Sequence, residues 1–337
     1  MELNDNSITK IHAYNAIRSF LSEKTNQNLI DELGIRDGIE RRISGLNCEY
    51  EFALISHFSE QFEFILGFDE SFSKLTDTKT PDFFLKKKDG KKFFIEVKSK
   101  ESDTFNDITE TSLAKRKVIA DELGAEWCLA LKMQNRWGLF DYNTFTSKKR
   151  KVSYPLDLND SIFISFFGFD YYIVQNIEAE SIFSNEYEKI DRIRHKEYGT
   201  LINYKLKTGP ITLIDDSSKN KSIFVEEIHN RFSNQEIQKI NAKETRLIEK
   251  LDKPILVSTD QLMIASIMHT INQHGLRNDA KTFFDDFINH KDPSSQINAY
   301  KFFWQQMIDK CPHNEIVKPQ KVLFDCNGNF QAEIFQV

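Results

Sequence analysis

Two short apolar runs around a polar turn constrain the fold of this chain more than any other feature. The runs are Phe83–Leu85 and Phe93–Val97, and the segment between them reads KKKDGKK. An Asp-Gly pair accepts the positive backbone angles of a tight return, so the pattern predicts a β-hairpin. Because side chains alternate along a strand, Glu96 and Lys98 should share one face of the second strand.

The length of the hairpin loop decides whether a second acid joins Glu96. Directly opposed residues of antiparallel strands point to the same face of a sheet. A two-residue turn would set Asp82 and Glu96 on opposite faces, whereas a three-residue loop over residues 88–90 sets them opposite each other. We predict an odd-length loop such as this one, with Gly90 in the left-handed conformation, or a bulge.

Two carboxylates on the buried face of a hairpin need a cation. They repel each other, and burial disfavours their charged forms unless positive charge compensates them. Mg²⁺ takes a few carboxylate oxygens and completes its octahedron with water and phosphate oxygens, and Mn²⁺ should substitute for it. A lysine on the same face can hold a metal-bound water and stabilise charge on a phosphate. We also expect that, without metal, loss of Asp82 or Glu96 leaves stability unchanged or slightly raised.

The order of predicted elements around the hairpin fits a sheet covered by helices. Helices are expected over residues 28–62, with breaks at Gly34, Gly38 and Gly45, and over 108–123; strands are expected over 62–68, 83–85, 93–97, 127–133 and 137–145. The order is therefore helix, three strands, helix, strand. This order predicts an α/β domain in the first half of the chain.

The second half carries no catalytic pattern that competes with the hairpin. A basic run at residues 148–151 and Pro155 mark a boundary, so we predict domains over residues 1–150 and 151–337. In the second domain, residues 161–177 are strand-like, residues 225–251 look helical, and residues 260–271 form an amphipathic helix that ends near Gly275. These elements predict an α+β region.

Charge and composition limit the expected partners. The net charge of −6 argues against a protein that coats nucleic acid through its overall field, so binding would be local. The four cysteines are scattered, which is typical of free thiols in a reducing compartment. The N-terminus is unlike a leader sequence, and no apolar stretch approaches the roughly 20 residues that cross a bilayer. We expect a cytoplasmic protein without membrane contact.

The residues Pro81-Asp82 and Glu96-Val97-Lys98 resemble the motif of the PD-(D/E)XK nucleases, which have the restriction-endonuclease-like fold. The resemblance covers about residues 28–145. It implies an αβββαβ core with a mixed sheet flanked by helices. It further implies that Asp82, Glu96 and the Val97 carbonyl bind the metal and that Lys98 is the catalytic lysine.

Members of this family often add an acidic residue from the first helix. We assign this role to Glu51, which stands one turn before Leu54 and Ile55. Glu49 and Glu60 are alternatives. On the following helix, Lys115 or Arg116 is expected to contact a substrate phosphate.

The expected function is a magnesium-dependent endonuclease that hydrolyses phosphodiester bonds, with DNA as the expected substrate and restriction or phage defence as the setting. Two alternatives stay open. One is a non-catalytic module that keeps the fold and binds nucleic acid or a protein. The other is a repair or junction-resolving nuclease. Residues 151–337 are expected to choose the target, or to bind a protein partner or a second copy of the chain.

Overall fold

In the computed structural model, the chain divides into two units. The first unit comprises residues 1–168, 271–292 and 324–328, and the second comprises residues 169–270, 293–323 and 329–337. The structure describes residues 5–18, 21–36, 39–68, 79–186, 194–216, 231–273, 281, 284, 301, 304–312 and 314–334. The independent folding of the predicted domains, residues 1–150 and 151–337, stays a prediction.

The first unit contains both helices and strands. Its helices are α1 (Asp5–Ile17), α2 (Glu23–Leu33), α3 (Ile39–Phe58), α4 (Glu110–Glu122), α5 (Tyr142–Ser147) and α6 (Phe163–Phe167). Its strands are β1 (Phe62–Gly67), β2 (Phe83–Lys87), β3 (Lys92–Lys100), β4 (Thr104–Phe105), β5 (Glu126–Met133), β6 (Arg136–Asp141) and β7 (Val152–Ser153).

A five-stranded mixed sheet forms the centre of the first unit, in the order β1-β2-β3-β5-β6. The strands β1, β2 and β3 are antiparallel neighbours, β5 runs parallel to β3, and β6 runs antiparallel to β5. A parallel pair needs a long crossover connection, and α4 lies in the one between β3 and β5. The predicted mixed α/β class is confirmed, and the elements follow the order α3, β1, β2, β3, α4, β5, with the short strand β4 between β3 and α4.

Helices pack on both faces of this sheet. On one face, Phe52 of α3 contacts Phe83 and Trp137, with ring centroids 5.7 Å apart in each pair. On the other face, the buried residues of α4 join an apolar cluster that includes Phe94 and Leu129. Because side chains alternate along β3, the face that carries Phe94 also carries Glu96 and Lys98.

Two predicted element boundaries differ from the structure. Gly34 ends α2 in the left-handed conformation as expected, with φ of 64°, but Gly45 lies inside α3 and does not break it. A glycine costs a helix only about 1 kcal/mol, which the packed face of a long helix overcomes. Gly38 lies outside the described residues. The strand predicted over residues 137–145 ends at Asp141, whose side chain accepts a hydrogen bond from the Thr144 N–H and caps α5.

The strand predicted over residues 161–177 is wrong in its first part, which forms the helix α6. Its three phenylalanines are buried at helical spacing, and Gly168 ends the helix with φ of 70°. Phe167 packs edge-on against Phe52, with centroids 5.7 Å apart. A short apolar run does not by itself distinguish a buried strand from a buried helix. Here the packing of the aromatic rings on the sheet favours the helix.

The second unit contains mostly strands, as the α+β prediction allowed. They are β8 (Tyr171–Val174), β9 (Ile177–Ser184), β10 (Arg194–His195), β11 (Gly199–Thr208), β12 (Ile211–Asp216), β13 (Asn234–Lys239), β14 (Glu244–Lys250), β15 (Ile255–Ser258), then the helix α7 (Thr259–Gln273), β16 (Ile316–Val317), β17 (Lys321–Phe324) and β18 (Phe330–Glu333). A six-stranded sheet has the order β10-β11-β9-β14-β13, with β12 also paired to β11, and β8 lies between β15 and β16.

The helix predicted over residues 225–251 is wrong for its described part, which forms the hairpin of β13 and β14. Lysine, glutamate and arginine favour a helix when judged by propensity alone. The pairing of β14 with β9, more than 60 residues earlier in the chain, overrides that preference. The amphipathic helix predicted over residues 260–271 is confirmed as α7, while its predicted end near Gly275 lies outside the described residues. Within the described part of the chain, no helix is both long and apolar enough to cross a membrane.

Candidate active site

The β2–β3 hairpin has the register that sets the two acids opposite each other. The Lys87 N–H donates to the Lys91 carbonyl at 2.8 Å, and the Gly90 N–H donates to the Lys87 carbonyl at 2.9 Å. The loop therefore has three residues, as the predicted odd-length loop requires, and Gly90 has φ of 88°. Counting back from the pair of Phe83 with Ile95, Asp82 falls opposite Glu96.

Asp82 lies directly before β2 and is bound to β3 through both backbone and side chain. Its N–H donates to the Ile95 carbonyl at 3.0 Å, and its Oδ2 accepts a hydrogen bond from the Val97 N–H at 2.6 Å. The side chain is buried. The hairpin itself thus holds the first carboxylate in one position beside the second.

Glu96 is completely buried, and its carboxylate is held by two cations. Arg116 of α4 binds it in a bidentate manner, with Nε 2.7 Å from Oε2 and Nη2 2.7 Å from Oε1. The Lys98 Nζ lies 2.6 Å from Oε1. Burial alone would raise the pKa of Glu96, but Lys98 and Arg116 outweigh it and hold the pKa below its ordinary value. Glu96 is therefore ionised at neutral pH.

Lys98 connects the acids to the backbone. Its Nζ contacts Glu96, lies 3.7 Å from Asp82 Oδ2, and donates to the Val97 carbonyl at 3.0 Å. Burial would lower the pKa of Lys98, but the carboxylates of Asp82 and Glu96 raise it above its ordinary value. In the metal-free protein Lys98 is thus a charged ammonium group that can stabilise negative charge but cannot accept a proton.

The chemistry of these donors fits a hard divalent cation. Within the described residues, no group of three or more His, Cys, Asp or Glu side chains is placed to hold a metal. Asp82, Glu96 and the Val97 carbonyl offer oxygen atoms around one ammonium position. Mg²⁺ binds through one or two carboxylates and keeps waters and phosphate oxygens for the rest, so these residues fit it.

Glu51 lies away from Asp82 and Glu96. Its carboxylate accepts hydrogen bonds from the Lys132 Nζ at 2.6 Å and from the Trp137 Nε1 at 2.8 Å. Lys132 is paired in register with Ser99, which points to the face of β3 opposite to Glu96. The structure thus does not bring Glu51 into the site, and this placement gives no support to its predicted catalytic role. Of the two alternatives, Glu49 lies within α3 and Glu60 follows its end.

Arg116, which with Lys115 was expected near a substrate phosphate, instead binds Glu96. It is buried, and it also donates to the Ser112 carbonyl and hydroxyl on its own helix. A signal for this role exists in the sequence, because Leu113, Arg116 and Ala120 lie three and four residues apart on one helix face. An arginine on a buried face needs a buried acid as its partner. Lys115, the neighbouring candidate, is half-buried.

Comparisons with known proteins name no family for this chain. No protein-family model matches it, and no curated protein matches it. Among solved structures, it is similar to Hjc, a Holliday junction resolvase from the archaeal hyperthermophile Archaeoglobus fulgidus, at 18% sequence identity and a TM-score of 0.27. This similarity covers 31% of the chain and 85% of the resolvase. A TM-score this low establishes neither fold nor function, so the functional argument depends on the geometry of the site.

Proposed function

We propose that the first unit is a metal-dependent nuclease of the PD-(D/E)XK type, with Asp82, Glu96 and the Val97 carbonyl as ligands of Mg²⁺. The observation that carries the proposal is the position of the Lys98 ammonium. It lies within 4 Å of both carboxylates and donates to the Val97 carbonyl. Three oxygen donors from the β2–β3 hairpin and the residue before it therefore converge on one cation, which is the predicted catalytic lysine.

The bound metal would polarise a phosphate oxygen and lower the pKa of a water molecule. The protein supplies the orientation of the other groups. The Val97 N–H fixes the Asp82 carboxylate, and Arg116 fixes the Glu96 carboxylate. Lys98 lies on the same face, where its positive charge can stabilise negative charge that develops on the phosphate.

The charge balance of the site supports an anionic substrate. In the metal-free protein, the two carboxylates face two cations, Lys98 and Arg116, so these four groups together are neutral. A divalent ion adds two positive charges in a partly buried place, and a phosphodiester, with one negative charge, offsets part of them. The proposed substrate is therefore a nucleic acid, with DNA as the expected kind. The restriction or phage-defence setting has no support in the structure and is not part of the proposal.

One observation favours a second candidate function, a non-catalytic binding module. Both oxygens of Glu96 accept hydrogen bonds from Arg116, and one of them also accepts from Lys98. If these contacts persist when metal is present, Glu96 keeps few lone pairs for an ion. The same fold would then bind nucleic acid without cutting it.

Cleavage of supercoiled plasmid by the purified full chain, with and without Mg²⁺ or Mn²⁺, separates the two candidates. If the chain is a nuclease, it should nick the plasmid, and a chelator should abolish the nicking. Lys98→Ala should lower the rate of nicking by at least about 100-fold, which is the effect expected when one hydrogen-bond donor to the transition state is lost. Lys100→Ala is the matched control, because Lys100 lies two residues further on the same strand face and pairs with Asp107. Binding of DNA without cleavage under both metals would support the non-catalytic module.

A further inference from the structure

Among the residues that the structure describes, one half of the sheet face that carries the site is covered and the other half is exposed. The cluster around α4 covers the β3 and β5 half. On β1, at the other edge of the sheet and just beyond it, Phe64 is 36% exposed, Leu66 50% and Phe68 41%. Phe64 and Leu66 are paired with Lys86 and Phe84 on this same face. A contiguous exposed apolar patch beside a site is a mark of binding.

Four phenylalanine rings form a continuous row across this open half. Phe64 lies 5.8 Å from Phe84, Phe84 lies 5.1 Å from Phe94, and Phe94 lies 6.0 Å from Phe68, between ring centroids. We call these four residues the aromatic row. Phe94 is buried and supports the row, while the two rings at its ends reach the solvent.

The aromatic row begins beside the two acids. The Phe68 N–H donates to the Asp82 carbonyl at 3.1 Å, so the exposed Phe68 is a backbone neighbour of the first acid. Phe84 follows Asp82 by two residues, and Phe94 precedes Glu96 by two. A separation of two residues on a strand is about 7 Å on the same face. One nucleotide bound at the acids would therefore place its neighbours over the row.

Positive charge flanks the same surface. Lys86 holds its ammonium 5.7 Å from the centroid of the Phe64 ring, where it also pairs with Glu63. Lys92, the register partner of Lys86, is exposed at the start of β3. Together with Lys98, these lysines border the aromatic row. Lysines are depleted in the cores of protein–protein interfaces, whereas lysines beside aromatic rings are the features that bind a single nucleic-acid strand.

We propose that this open half of the sheet binds an unpaired nucleic-acid strand, whose bases stack on Phe68 and Phe64 while its backbone passes Lys86 and enters the site. Only an unpaired base offers its flat face to a side chain, because the bases of a duplex stack on one another. The substrate class is therefore a single strand, or a duplex with unpaired bases next to the cleaved bond. This inference rests on the proposed nuclease function and specifies its substrate.

We call this strand-binding surface, with its aromatic row, the platform, and two assays on the full chain test it. The first measures cleavage of a single-stranded oligonucleotide and of the duplex of the same sequence, in Mg²⁺. The second measures stacking through the fluorescence of 2-aminopurine in the single strand, with Ca²⁺ in place of Mg²⁺. Phe68→Ala and Phe64→Ala should each raise KM for the single strand by about 5- to 100-fold, as expected for one lost stacking contact. Each should also reduce the quenching of 2-aminopurine, and Phe68→Trp should restore both properties.

Leu123→Ala is the control, since Leu123 is 55% exposed at the end of α4, outside the aromatic row. It should leave KM and the fluorescence unchanged. If the wild-type chain cleaves, and both phenylalanine variants have the same KM and quenching as the wild type, the platform would be overturned and the nuclease function retained. If the wild-type chain never cleaves, but the Phe68→Ala variant shows less quenching of 2-aminopurine than the wild type, the platform would be supported and the nuclease refuted. Loss of a dimer in both variants, without any effect on binding, would assign the patch to a protein contact and also overturn the platform.

Discussion

Glu96 and Glu51 are both buried glutamates of the first unit, and they lie on opposite faces of the same sheet. Glu51 accepts hydrogen bonds from the Trp137 indole and from Lys132, so one cation balances one acid. Glu96 shares the Lys98 cation with the second acid, Asp82. Burial with a cationic partner is thus common to both glutamates. A second carboxylate around the same cation is what distinguishes the candidate active site.

The comparison first predicts a difference in stability. Glu96→Ala should lower the free energy of unfolding by about 3 to 5 kcal/mol, because it leaves the buried Arg116 without its bidentate partner. Glu51→Ala should lower the free energy of unfolding by less, about 1 to 3 kcal/mol, because the lost hydrogen bonds are to an indole and to a lysine that is less buried than Arg116. Urea unfolding of both variants measures the difference.

A double variant provides the control for this prediction. Glu96→Leu combined with Arg116→Met removes both charges together and should recover most of the loss, since apolar pairs often replace buried ion pairs without cost. The sequence alone predicted that loss of either acid leaves the stability of the metal-free protein unchanged or slightly raised. Unchanged stability of Glu96→Ala would restore that expectation and would show that the contacts with Arg116 and Lys98 contribute little.

The second prediction concerns catalysis. Glu96→Gln should reduce plasmid nicking by at least two to three orders of magnitude, about 3 to 4 kcal/mol of barrier, because an amide is a poor ligand for Mg²⁺. Glu51→Gln should leave the cleavage rate within a few-fold of wild type, since its partners lie on the other face of the sheet. A loss of similar size for Glu51→Gln would show that the helix acid takes part in the reaction, as the family resemblance implied.

The smallest expected effect is metal-dependent stabilisation. Mg²⁺ at about 100 times its Kd should stabilise the wild-type chain by about 2.7 kcal/mol, because it binds the folded state alone. Asp82→Asn should abolish this gain, and Glu51→Gln should keep it. Thermal melting with and without Mg²⁺ gives the comparison. Equal stabilisation of Asp82→Asn and wild type would place the ion elsewhere.

The sequence predicted the features that depend on local spacing. Alternation along β3 places Glu96 and Lys98 on one face, and Asp89-Gly90 marks the turn, while the choice between a two-residue and a three-residue loop was decided by the structure. These features follow from backbone angles and from residues within about 15 positions of one another, which a periodic pattern records directly. The order of the elements was predictable for the same reason, whereas the mixed sheet was implied only by the family resemblance, because the parallel pair of β3 and β5 joins residues 33 positions apart.

Tertiary structure alone decided the partners that are distant in the chain. Arg116 reaches Glu96 across 20 positions, and Glu51 reaches Lys132 across 81. Local pattern showed that Glu51 faces the sheet, but it held no information about which face α3 would cover. The helix α6 and the strand β14 were mispredicted for a related reason, because packing on a sheet and pairing with β9 overrode local preference. Spacing in the sequence thus determined which side chains share a strand face, while long-range packing determined which charges meet there.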